Sequence, residues 1–199
     1  MKHSLFSLVL AAAMLVAAPL AYASLIHLHV NLSGASEFPP VVSPGTGQAD
    51  LILDTTAETL QGHIVFSGLT SPTTAAHIHC CLASPFLVGA NVGVATLVPA
   101  FPGFPLMQTS GVDDFILDLS SASAYNPGFI TLQGSLANAE ASFINGLLTG
   151  RTYLNIHTTA NPGGEIRGFV AVPEPMTASL LALGLAAAGF VSRRRRRIT

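Results

Sequence analysis

The central part of the chain, residues 24–172, contains very few positive charges. Arg151 and Arg167 are its only lysine or arginine residues, against nine carboxylates, so its net charge is −7. Because a negative surface repels a phosphate backbone, nucleic acid is not an expected partner. Metal ions and cationic molecules are the partners that such a charge attracts.

Cysteine is also scarce, since Cys80 and Cys81 are the only two in the chain. A domain of roughly 150 residues removes ~70% of its unfolded surface from water, so it does not need disulfides to fold. Neighbouring cysteines bridge each other only with strain. A bridge between the two, or a bridge to another chain, is favoured in an oxidising compartment. The alternative is that Cys81, which has the strand parity of His77, supplies a thiolate to a metal.

The motifs of common enzymes are missing as well. The chain has no Gly-x-Ser-x-Gly elbow and no phosphate-binding glycine loop. Asp113 and Asp114 are adjacent, so their side chains point to opposite faces of a strand and do not form a catalytic pair. These absences make a hydrolase the least favoured function and leave binding or matrix roles.

The first 23 residues have the organisation of a secretory signal peptide. Lys2 precedes the hydrophobic run Leu5–Ala18, and the small-x-small site Ala21–Ala23 follows. A charged start, an apolar stretch and a small-residue site are what signal peptidase reads. We therefore predict export across the inner membrane, with Ser24 as the first mature residue.

The last 27 residues, 173–199, form a different kind of tail. Met176–Val191 is a sixteen-residue run without charge, short of the ~20 residues of a comfortable membrane span. It lies between a stiff Pro-Glu-Pro stretch and an arginine cluster that should remain cytoplasmic. The flanking residues are Pro173, Glu174, Pro175, Arg193, Arg194, Arg195, Arg196 and Arg197.

This order of features resembles the PEP-CTERM sorting signal of Gram-negative bacteria. The resemblance implies transient anchoring in the inner membrane, cleavage by an exosortase, and delivery to the cell surface or the extracellular matrix. Bacteria with such proteins often secrete exopolysaccharide, which makes that polymer a possible partner. The alternative is a plain C-terminal membrane anchor.

Between the two ends, period-two alternation predicts about eight strands. Glycine and proline separate them, so we expect an all-β domain, a single Greek-key sandwich or barrel. Ala137–Leu148 is the one predicted helix, and Pro99–Ser110 is a predicted long ordered loop. The predicted strands are Leu25–Leu32, Gln48–Leu53, Leu60–Phe66, Ala75–Cys81, Val92–Val98, Asp114–Leu119, Thr152–Thr158 and Glu165–Val172.

Three segments together resemble the CHRD domain, a module first described in chordin. They are Leu32–Pro40 with Gly47 after it, Ala76–His79, and Tyr153–Thr158 followed by Asn161–Gly168. The resemblance spans about 140 residues of the predicted domain 24–172, in the expected order. It implies an extracellular β-domain without an established catalytic role.

His77, His79 and His157 are the candidate metal ligands. Residues two apart on a strand point the same way, ~6.6 Å apart, so His77 and His79 can meet on one ion. If the strand of His157 lies nearby, three imidazoles converge on copper or zinc. The pattern is distantly similar to copper/zinc superoxide dismutase, a resemblance that implies an anion-steering role for Arg167. Without a bridging histidine or a zinc loop, dismutation is not expected.

A structural role is the competing interpretation of these residues. His27 and His29 repeat the His-x-His pattern on a predicted strand, so ordinary alternation can produce it. The three histidines would then bond loop carbonyls, and Glu165 and Arg167 would tie the glycine turn to its neighbours. The predicted function is thus an exported surface or matrix protein without catalytic activity; the alternative is a copper- or zinc-binding, possibly redox-active, protein.

Overall fold

The computed structural model describes residues 25–83 and 90–171. The predicted signal peptide, the sorting motif with its arginines and the predicted membrane helix lie outside these residues. Within the described ranges, no helix has the length and apolar character needed to cross a membrane.

The described residues form one antiparallel sheet that curls into a half-barrel. In chain order, its seven strands β1 to β7 are Leu25–Ser33, Thr46–Asp54, Thr59–Ser67, Thr73–Cys80, Gly111–Asp118, Thr152–Thr158 and Ile166–Phe169. Their order in the sheet is β4-β6-β7-β1-β2-β3-β5, so the last described strand lies beside the first. Strands β1, β2, β3 and β5 follow the predicted alternation, because each buries about every second side chain.

The expected eight-stranded sandwich or barrel is wrong in its details. All seven strands belong to a single open sheet, and its end strands β4 and β5 are not hydrogen-bonded to each other. The predicted strand Val92–Val98 forms only isolated bridges, at Val94 and Thr96. One reason is that the Thr96 hydroxyl accepts a hydrogen bond from the Ile78 backbone N–H at 2.9 Å. At this point on the edge of β4, a side chain takes the place of the backbone carbonyl that a regular strand pair would use.

Two α-helices cover one face of the sheet. They are α1, Pro127–Gln133, which the sequence did not predict, and α2, Leu136–Leu148, which confirms the predicted helix. The Asn126 side chain accepts the Gly128 N–H and so caps α1. Apolar side chains of both helices join those of the strands in one core. That core is built from residues between 26 and 170, so this segment has its own hydrophobic interior.

The predicted loop Pro99–Ser110 is ordered and completes the core. Phe101 stacks on Phe115 with ring centroids 4.2 Å apart, and Phe104 stacks on Phe66 at 5.3 Å. The loop therefore covers apolar surface that the helices do not reach.

The face of the sheet opposite the core has two different environments. On β1, β2, β3 and β5 its polar side chains are largely exposed. On β6, by contrast, every residue is buried. Loops that include Glu37, Val92 and Pro162 lie over this second region, which is where the predicted site residues are found.

Candidate functional site

The register of β4 and β6 brings the three predicted histidines together. His79 lies opposite Tyr153, His77 opposite Asn155, and Ala75 opposite His157. All of these side chains share the face away from the core, because Ile78 between the two β4 histidines is fully buried in the core. The ring centroid of His77 is 4.9 Å from that of His79 and 4.6 Å from that of His157.

Two of the three rings are oriented by backbone carbonyls of the covering loops. His79 Nδ1 lies 2.7 Å from the Val92 oxygen, and His157 Nδ1 lies 3.0 Å from the Pro162 oxygen. A carbonyl can only accept, so each Nδ1 must donate a proton. This fixes the tautomer and leaves a lone pair on Nε2 in both rings. Histidines that bind metals are commonly held in this way.

Each of the three histidines has one buried ring nitrogen without a hydrogen-bond partner. These nitrogens are His77 Nδ1, His79 Nε2 and His157 Nε2. One ring nitrogen from each residue lies within 4.8 Å of the others. Ligands ~2.0 Å from a tetrahedral ion are separated by about 3.3 Å, so modest ring rotations would close this set on one ion.

Burial also keeps the imidazoles neutral. The side chains are 6, 8 and 8% exposed for His77, His79 and His157. Desolvation, with smaller contributions from the neighbouring histidines, lowers the pKa of His77 to about 3. Desolvation likewise lowers the pKa of His79 to about 4 and lowers that of His157. Neutral imidazole is the form that coordinates metal ions, so the rings need not lose protons near neutral pH.

Arg167 lies beside the histidines but faces protein on all sides. It is 0% exposed, donates to the Ser36 carbonyl, and donates to Asn91 Oδ1 at 2.8 Å. Its guanidinium carbon sits 4.8 Å from the centre of the Tyr153 ring, which in turn stacks on His79. A buried carboxylate, Glu37, has its Oε2 3.9 Å from Arg167 Nε.

Glu165 binds four segments that meet at the glycine turn. Its Oε1 accepts the Ser43 hydroxyl at 2.7 Å and the Thr70 N–H at 2.6 Å. Its Oε2 accepts the Thr158 hydroxyl at 2.7 Å and the Asn161 amide at 3.3 Å. Although burial raises the pKa of Glu165, these hydrogen bonds outweigh it and lower the pKa.

Cys80 and Cys81 are joined to each other by a disulfide across a cis peptide bond. Both sulfurs lie against α2, where each approaches the Ser142 carbonyl. Of the three roles considered from the sequence, the structure therefore shows the bridge within the pair. Cys81 does not join the histidines, and no free thiolate is present.

The other histidines of the described residues are on the exposed part of the same face. His29 Nδ1 pairs with Asp50 at 2.8 Å, and His63 Nδ1 pairs with Asp114 at 2.7 Å. His27 is exposed. Asp113 is buried whereas Asp114 is exposed, which confirms that the two carboxylates diverge.

Sequence reasoning did not identify the residues that enclose the site. Glu37 comes from a loop far from β4 and β6 in the chain, whereas Asn91 and Val92 belong to the segment that follows β4, and only the tertiary fold brings them over the histidines. Strand parity places Asn155 on the same face as His157, but it does not predict that Asn155 Oδ1 is buried without a hydrogen-bond partner. The sequence signal that could have indicated a buried polar site is the high number of polar residues on β4 and β6.

The fold and the group of three histidines define a mainly β domain. Part of one face of its sheet is buried, polar and lined by histidines. Comparison with family models gives it an identity: the CHRD domain matches residues 28–170, and the PEP-CTERM protein-sorting motif matches residues 171–197. The chain belongs to the CHRD domain family. Its sorting motif implies an exported protein that an exosortase processes and that is sorted to the cell surface. No curated protein and no solved structure matches the chain.

Proposed function

We propose that this protein is a metal-binding module of the cell surface, in which His77, His79 and His157 hold one copper or zinc ion. A single observation carries the proposal. Three buried ring nitrogens without hydrogen-bond partners belong to residues whose candidate ligand atoms lie within 4.8 Å of one another.

The structural interpretation accounts for only part of this arrangement. Bonds to loop carbonyls satisfy one nitrogen of His79 and one of His157. A buried polar atom left unpaired costs about 1–3 kcal/mol, and each of the three histidines has one such atom. An ion bonded to these nitrogens would remove that cost, whereas a purely structural role would leave it in place.

The chemistry of the ligands narrows the choice of metal. Imidazole nitrogen suits copper and zinc, while calcium and magnesium prefer oxygen. Three histidines leave one coordination position for water or another ligand. Because the rings are at most 8% exposed, the ion would be shielded from large substrates. This favours a bound, non-catalytic ion and a surface or matrix role over redox catalysis.

Arg167 and Glu165 have supporting roles in this proposal. A guanidinium that is 0% exposed does not meet dissolved anions, so Arg167 is better placed to support the His79–Tyr153 stack than to steer anions. Glu165 holds the turn that carries the Pro162 carbonyl, which orients His157. Both residues would position the metal ligands indirectly.

The sorting motif supports a place for this module outside the cell. Signal peptidase and exosortase would process the two ends, leaving the domain at the surface or in the matrix after transient anchoring in the inner membrane. An exopolysaccharide matrix is the proposed environment there.

The test is metal content of the purified segment 24–172. After chelation and dialysis against copper or zinc, elemental analysis should find one ion per wild-type chain and less than about a tenth of that in His79→Ala and His157→Ala. A free metal concentration of 100 Kd should raise the unfolding free energy of wild type by ~2.7 kcal/mol. His27→Ala and His63→Ala are matched controls, because these exposed histidines lie outside the cluster. Equal metal content in wild type and the two cluster variants would contradict the proposal.

A further inference from the structure

The exposed part of the sheet carries a row of alternating histidine and aspartate side chains. Strand register places His29 opposite Asp50, Asp50 opposite His63, and His63 opposite Asp114. The row, called the ladder below, therefore crosses β1, β2, β3 and β5 in spatial order. Its side chains are 40–77% exposed and form two His–Asp hydrogen bonds, 2.8 and 2.7 Å long, that point in the same direction across the sheet.

Aliphatic side chains flank the ladder on the same face. Val65 and Val112 lie opposite each other on one side of it, 42% and 55% exposed. Ile116, on the other side, is 65% exposed. On the side of Ile116, a shallow groove of about 530 Å³ runs along the ladder and is lined also by His27, Ile52 and Gln61. Exposed aliphatic residues grouped around a polar row are characteristic of contact surfaces between proteins.

We infer that this face docks onto the same face of a second copy of the chain. The order of histidines and aspartates along the ladder supports this inference. A two-fold axis parallel to the strands, midway between β2 and β3, reverses the order of strands in the second copy. It therefore places His29 over Asp114 of the second copy and Asp50 over its His63.

Every histidine of the ladder then faces an aspartate of the second copy. This is because reversing the order His-Asp-His-Asp places an aspartate at each histidine position and a histidine at each aspartate position. A two-fold axis along the ladder would instead place like residues on like, which opposes association. The arrangement also directs protruding side chains such as Ile116 into the groove of the other copy. Two sheets packed in this way form a sandwich with a spacing of ~10 Å.

The size of the face is sufficient for such a contact. Four strands ~4.8 Å apart and nine residues long, at ~3.3 Å each, cover roughly 500 Å² per copy. The two copies together bury about 1,000 Å² or more, which is at the lower end of specific interfaces. A reversible dimer is therefore expected. The net charge of −7 on each copy opposes it over long range, but screening limits that repulsion to ~8 Å at physiological salt.

The test uses two ladder variants of the segment 24–172, whose core is complete. The acidic variant is His29→Asp with His63→Asp, and the basic variant is Asp50→Lys with Asp114→Lys. Sedimentation equilibrium at physiological salt, with a chelator present, should show a dimer for wild type. Each variant alone should have a dissociation constant raised at least about tenfold, and an equimolar mixture of the two should dimerise again.

Glu58→Lys with Glu140→Lys is the matched control for the basic variant, because it changes the net charge equally but lies off the face; it should dimerise like wild type. The exposed positions of the ladder should leave the circular dichroism spectra unchanged. Monomeric wild type at its highest soluble concentration, undiminished dimerisation of the separate variants, or failure of the mixture to associate would each overturn the inference. The chelator makes these outcomes independent of the proposed metal site.

Discussion

The buried pair of Arg167 and Glu37 allows a prediction whose size can be bounded. Their side chains are 0% and 4% exposed, with Nε and Oε2 3.9 Å apart. Burial raises the pKa of Glu37 to about 7 although Arg167 opposes the rise. At pH 8 the ionised carboxyl is thus favoured over its neutral form by only about 1.4 kcal/mol in the folded protein.

We expect Arg167→Met to cost about 3–5 kcal/mol of unfolding free energy, because it removes two hydrogen bonds from a charged donor, worth about 1.5–3 kcal/mol each. Most of this comes from lost hydrogen bonds to Ser36 and Asn91 and from the lost contact with the Tyr153 ring. Glu37 contributes at most about 1.4 kcal/mol at pH 8, because it can take up a proton once the cation is gone. At pH 5.5 it is already protonated, and its contribution should be near zero.

A double-mutant cycle with Glu37→Gln measures this coupling. Urea unfolding of wild type, the two single variants and the double variant would be followed at pH 5.5 and 8 with a chelator present. Arg151→Met, which changes the other arginine of the domain, should show no coupling to Glu37→Gln. A coupling near 3 kcal/mol at pH 8, or one that persists unchanged at pH 5.5, would refute the reasoning.

Three further predictions concern other parts of the chain. Gly146→Ala should destabilise the domain by about 1–3 kcal/mol in urea unfolding despite the better helix propensity of alanine, because the new Cβ would lie 2.6 Å from Cys80 Sγ. In the metal-free domain, His77 and His79, whose pKa values are lowered to about 3 and 4, favour unfolding as pH falls from 6.5 toward 4, whereas Glu37 and Asp113, whose pKa values are raised to about 7 and about 6, favour folding. His79→Gln should therefore gain stability relative to wild type as pH falls over this range in urea unfolding, and an unchanged difference would contradict this. Replacing residues 173–175 with alanines should leave an uncleaved membrane form on immunoblots of cell fractions; normal release would contradict this.

Much of the sheet could be predicted because local alternation decides which residues a strand buries. The predicted bounds of the strands around Leu28, Leu51 and Ile64 agree with the structure within two residues. Helix α1 was missed because Asn126-Pro127-Gly128 is also a typical turn sequence. Tertiary contacts decide between the two conformations: Phe129, in the first turn of α1, is buried in the core.

The candidate site was predictable only in part, for a similar reason. Strand parity places His77 and His79 together, but which strands are neighbours depends on the whole topology. The enclosure of the site depends on contacts such as that between Arg167 and Asn91, 76 positions apart in the chain. No local pattern encodes these contacts, so the burial that leaves ring nitrogens unpaired could not be foreseen.

The two His-x-His pairs show what distinguishes a candidate ligand from an ordinary polar residue. His29 has partners on both ring nitrogens, Asp50 at 2.8 Å and Asn31 at 3.2 Å. His79 has a partner on Nδ1 only, and its buried Nε2 has none; His77 and His157, in the same cluster, each have one further buried nitrogen without a partner. The sequence pattern is the same, but solvent and carboxylates satisfy the first pair, whereas loops exclude water from the second. Whether the second nitrogen has a partner, and not the spacing of the histidines, therefore decides where a metal ion gains the most by binding.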